Sequence, residues 1–66
     1  MTVIYTETEA MENARCNLLW WSVAPAVVAA ADKARLIELI KMRRAQFTAD
    51  GLAYLIAEAL IRDLER

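Results

Sequence analysis

Apolar residues recur along this chain at helical spacing in three stretches, and the interruptions between them carry helix start and stop signals. Met11, Ala14, Leu18 and Trp21 follow one another at steps of three, four and three residues. That spacing stacks them on one side of a helix, with Glu12 and Arg15 facing away. Ahead of them, Thr6-Glu7-Thr8-Glu9 has the form of a capping box, in which the Thr6 hydroxyl accepts from the Glu9 amide and the Glu9 carboxylate reaches back to Thr6. A first helix is expected over Glu7 to Trp21. Thr2 to Thr6 favours extended backbone, with Val3 and Tyr5 alternating, and predicts a short N-terminal arm able to pair with its symmetry mate in a dimer.

Pro25 has no amide hydrogen, and its ring would strike the carbonyl of Trp21, so the helix bends or restarts there. The reading favours a break, with Ser22 as the new N-cap and Pro25 in the first turn. A second helix then runs from Val23 to Arg44. Ala26, Ala30 and Ala34 stack four apart on one side of it, and Leu36, Ile37 and Ile40 carry the apolar stripe onward. Arg43 and Arg44 sit where cations favour a helix C-terminus. Thr48 is the expected N-cap of a third helix over Ala49 to Glu65, with Phe47 and Leu52 as a hydrophobic staple and Asp50 near the positive helix end. Glu58 and Arg62 lie four apart on its thin polar strip.

From Leu52 to Ile61 this third helix is apolar nearly all the way round, in a chain of only 66 residues. A domain of that size buries roughly 60% of the surface its unfolded chain exposes, which leaves too few neighbours to cover such a helix. The expected fold is therefore all-α, one domain over residues 1–66: a three-helix bundle, or a kinked helical hairpin if the first two helices are one rod. It is completed by homodimerisation through Leu52, Leu55, Ile56, Ala59 and Leu60.

Composition supports packed helices over disorder, at 59% hydrophobic residues with one glycine and one proline. A net charge of −1 gives no overall pull toward nucleic acid or anionic lipid. The longest uncharged apolar run, Leu18 to Ala31, is shorter than the ~20 residues that span a bilayer, so membrane association is disfavoured. Early acidic residues Glu7, Glu9 and Glu12 are the opposite of a targeting segment, and the lone Cys16 fits a reducing compartment, so a cytoplasmic location is expected. Cys16 reads as a small semi-buried apolar residue.

The chain has no histidine and a single glycine, Gly51, which removes Ser-His-Asp and Cys-His nucleophile pairs, histidine metal sites and glycine-rich phosphate loops. No catalytic, metal or cofactor-binding residues are assigned, and the protein is expected not to be an enzyme. Adjacent helical residues point about 100° apart, so Trp20 and Trp21 cannot share one core site; one should be core and one nearer the surface. Trp, Tyr and Arg dominate binding hot spots, which makes Trp20, Trp21, Tyr54, Arg43 and Arg44 the candidates for partner binding.

The functional expectation is a non-enzymatic protein–protein interaction module, a small adaptor or inhibitor that occludes or bridges a larger protein. One alternative is a dimeric nucleic-acid-binding regulator using the Lys41 to Arg44 patch, within the basic stretch Lys33, Arg35, Lys41, Arg43 and Arg44. Against it, Leu52, Ala53, Leu55 and Ile56 at the head of the following helix offer no donors to base edges. The second alternative is a membrane-associated small protein.

Overall fold

Thr6 opens the first helix as its capping box requires: the Glu9 amide donates to Thr6 Oγ1 at 3.2 Å, and the Thr6 amide reaches Glu9 Oε1 at 3.5 Å. The structure, a computed structural model, describes residues 6–66. Val3, Tyr5 and the rest of the arm preceding Thr6 lie outside the described residues. Four helices follow in order, α1 (Glu7–Trp20), α2 (Pro25–Ala30), α3 (Lys33–Arg44) and α4 (Leu52–Glu65), with no strand among the described residues.

Helix α1 ends in a Schellman turn. The Val23 amide donates to the Leu18 carbonyl at 2.9 Å and the Ser22 amide to the Leu19 carbonyl at 3.0 Å, while Ser22 sits in the left-handed region at φ +66°. The chain therefore breaks at Pro25 instead of kinking, but Ser22 is not the new N-cap. Ala24 takes that place with Pro25 at the first helical position, where the missing amide hydrogen costs nothing.

The expected helix over Val23 to Arg44 is two helices. Ala31 turns extended, and Asp32 then caps α3, its Oδ1 accepting from the Arg35 amide at 2.8 Å. An aspartate with this bond open to it competes with helix continuation, and here the cap wins. Ala34 thus falls on a different helix from Ala26 and Ala30, and all three are exposed, so they form no packing row. Arg15 does not face away either: half-buried, its guanidinium donates to the Ala31 carbonyl at 3.0 Å and satisfies the C-terminal end of α2.

Helix α4 begins at Leu52, three residues after the expected Ala49, and its N-cap is Gly51 instead of Thr48. Thr48 to Gly51 is a turn closed by the Gly51 amide on the Thr48 carbonyl at 2.9 Å. A Cβ at Gly51 would lie 3.0 Å from Thr48 Oγ1 and 3.2 Å from the Thr48 carbonyl oxygen, so only glycine closes this turn without displacement. The Phe47–Leu52 staple does not form. Leu52 is 73% exposed, and Phe47 packs edge-on against Trp21 with ring centroids 5.1 Å apart.

That aromatic pair places the end of α1 beside the entry to α4, while Lys33 Nζ lies 3.9 Å from Glu7 and joins the starts of α1 and α3. Helices α1 and α3 therefore run the same way, linked by a crossover through α2, and α4 returns between their ends. Ala10, Ala14 and Leu18 of α1 meet Leu36, Leu39 and Ile40 of α3 and Ala57, Leu60, Ile61 and Leu64 of α4 in one apolar core, with Val28 of α2 closing its side. The alanines let the α1 backbone approach its neighbours closely. No side chain buried in this core is polar among the described residues.

Candidate functional site

The two tryptophans separate as neighbours on a helix must. Trp21 shares a side of α1 with Leu18 and is half-buried on Phe47, whereas Trp20 points opposite the Ala10, Ala14 and Leu18 seam and is 85% exposed. An indole exposed to this degree contributes little burial to the monomer.

On α4 the inward face is Ala57, Leu60, Ile61 and Leu64. Leu60 is in the monomer core, so it is not on the surface that could meet a second chain. Leu52, Leu55 and Ala59, spaced three and four apart, share the opposite face. Leu52 and Leu55 are 73% and 57% exposed, Ala59, at an angle between them on the helix, is half-buried, and Ile56 at the flank is half-buried against the core.

The last turn of α3 carries Lys41, Arg43 and Arg44. Arg44 lies over the Tyr54 ring with its guanidinium carbon 5.8 Å from the centroid, a cation–π contact that ties α3 to α4. Arg43 donates to Gln46 Oε1 at 3.1 Å. Lys33 and Arg35 are paired with Glu7 and Glu38, but among the described residues no carboxylate lies within 4.0 Å of Lys41, Arg43 or Arg44. The basic stretch is thus divided, with its first half internally neutralised and its last turn not.

Beside that turn is a feature the sequence did not disclose, an open groove of 210 Å³ lined by Val23, Leu39, Met42, Arg43 and Gln46. Val23 comes to it from the loop after α1, because the left-handed Ser22 reverses the chain against α3. Four of its lining residues, Leu39, Met42, Arg43 and Gln46, share one face of α3 and its C-terminal turn, and only Val23 comes from a distant segment, which is what turns that face into a groove. Met42 at 57% exposure is a further signal present in the sequence, an apolar residue among the cations of a helix end.

Cys16 is exposed, not semi-buried, because it lies on the same outward face of α1 as Trp20. Among the described residues no group of His, Cys, Asp or Glu could hold a metal ion, and no helix is long and apolar enough to cross a membrane. The chain matches no protein-family model, no curated protein and no solved structure among those compared.

Proposed function

We propose that this chain is a non-enzymatic protein-interaction module, a small adaptor or inhibitor that self-associates through the outward face of α4 and engages a larger protein with its tryptophan and arginine end. The observation that carries the reading is the exposure of Leu52 and Leu55 on one face of a helix whose other face is fully used by the core. Together they leave roughly 200–250 Å² of leucine surface in water per copy, worth about 5–6 kcal/mol when buried, before the cost of association. Ala59 lies within the strip and Ile56 borders it, and a second copy presents the same strip in reverse, as a two-fold interface requires.

Light scattering on a sizing column, in detergent-free buffer across a dilution series, tests it. The expected mass is twice the 7.5 kDa chain, falling toward one chain on dilution. The double variant Leu52→Glu/Leu55→Glu should be a folded monomer throughout, since both positions are on the surface. A wild-type chain that is monomeric at every concentration would overturn self-association through α4.

A further inference from the structure

The groove beside the last turn of α3 combines two properties that seldom coincide on a solvated helix end. Its floor is Val23, Leu39 and Met42, aliphatic and thioether surface with no hydrogen-bonding group. Its rim is Arg43, which uses one guanidinium nitrogen on Gln46 and has further donors to offer; Lys41 and Arg44, in the same helical turn, point away from the groove, Arg44 toward Tyr54. At 210 Å³ the space is below the ~300 Å³ at which small-molecule pockets begin, yet an apolar cavity of about 150 Å³ already accepts a benzene ring. It fits one large side chain.

We propose that this groove receives a single large apolar side chain from an acidic segment of a partner protein, with Arg43 pairing to a carboxylate beside that side chain. The proposal rests on the interaction-module reading and gives its partner a chemistry. Charge complementarity selects the acidic segment: Arg43, the one charged residue lining the groove, has no carboxylate partner among the described residues. The floor selects a protein over a nucleic acid. Single-stranded nucleic acid is held by aromatic platforms on which bases stack, and neither Val23, Leu39 nor Met42 supplies one. Planar, bidentate carboxylate recognition is what an arginine at the rim adds, fixing the segment's register while the apolar anchor supplies the affinity.

The experiment is a ¹H–¹⁵N NMR titration of the whole chain with the pentapeptide acetyl-Glu-Glu-Phe-Glu-Glu-amide. Saturable shifts are expected at the amides of Val23, Leu39, Met42, Arg43 and Gln46, with a dissociation constant on the order of 0.1–1 mM for one anchor and its flanking charges. Replacing the phenylalanine by alanine should weaken binding at least about tenfold. Replacing the glutamates by glutamine should weaken it several-fold and remove its dependence on salt. Arg43→Gln should reproduce the loss seen with the glutamine peptide. Met42→Glu, at an exposed position where folding is unaffected, should abolish binding by setting a like charge in the groove.

Equal affinity of the alanine peptide, or no shift at ~2 mM peptide, a concentration above the expected dissociation constant, would overturn the proposal. So would a thymidine oligonucleotide shifting the groove amides more strongly than the peptide, which would reassign the basic turn to nucleic acid. Shifts confined to Leu52 and Leu55 would overturn the groove while leaving the module reading intact.

Discussion

Ser22 is held at φ +66°, the one positive value at a non-glycine among the described residues. A side chain with a Cβ costs about 1–2 kcal/mol in this region, because Cβ crowds the following carbonyl oxygen. Ser22→Gly removes that cost and keeps both backbone bonds of the Schellman turn, from Val23 to Leu18 and from Ser22 to Leu19. Glycine also loses more backbone entropy on folding, which offsets roughly 0.5 kcal/mol or more of the gain. The expected net is about 0.5–1 kcal/mol of added stability, or roughly 2–8 °C in Tm for a domain of this size. Thermal unfolding followed by circular dichroism measures it, in the Leu52→Glu/Leu55→Glu background so that self-association does not move Tm with concentration. Ser22→Ala should be close to wild type, and Ser22→Val should fall below it because a β-branched side chain tolerates this region worst. If Ser22→Gly melts no higher than Ser22→Ala, the left-handed turn does not carry the strain argued for it.

Asp32→Ala removes the side-chain acceptor of the Arg35 amide and should cost about 1 kcal/mol in urea unfolding, with Asp32→Asn recovering most of it. Leu36→Ala empties a fully buried site between α1 and α4 and should cost about 2–5 kcal/mol. Against a total of roughly 3–10 kcal/mol for a chain of this length, that is enough to leave a measurable unfolded population at 25 °C by circular dichroism.

Local signals were legible where one short segment decides the outcome. Thr6 and Glu9 specify the start of α1 from four consecutive residues, and Pro25 forbids an uninterrupted helix by its own covalent structure. The Asp32 break was written just as locally, but the apolar register before and after it reads as one continuous stripe and hides the cap. At the entry to α4 two residues compete, Thr48 with an N-cap side chain and Gly51 without one; the chain turns over Thr48 to Gly51, where a Cβ would sit tightly against Thr48, and the helix starts after Gly51. Helical position alone turns Arg15 outward, whereas its partner, the Ala31 carbonyl, exists only once α2 has ended sixteen residues on. The α3 side of the groove, Leu39, Met42, Arg43 and Gln46, follows helical spacing, but its other side does not show in sequence, since Val23 meets Leu39 and Met42 only after the crossover has closed. The apolar surplus on α4 was visible, but its division between core and surface depends on which face α1 and α3 claim. Leu60 went inward, and Leu52 and Leu55 did not.

The brevity of α2 bears on how the groove behaves over time. Isolated helices shorter than ~12–15 residues are marginal in water, and α2 has six, with no side-chain cap at its start. Its persistence depends on Val28 in the core and on the guanidinium of Arg15 at its C-terminal end. Such an element opens at a fraction of the free energy needed to unfold the whole chain. Val23, on the floor of the groove, is fixed at its amide by the Schellman turn and lies two residues before this short helix. Local opening of α2 would therefore expose Val28 and free the Arg15 guanidinium while the Schellman turn still holds Val23 against α1, so the groove can outlast the loss of the helix beside it.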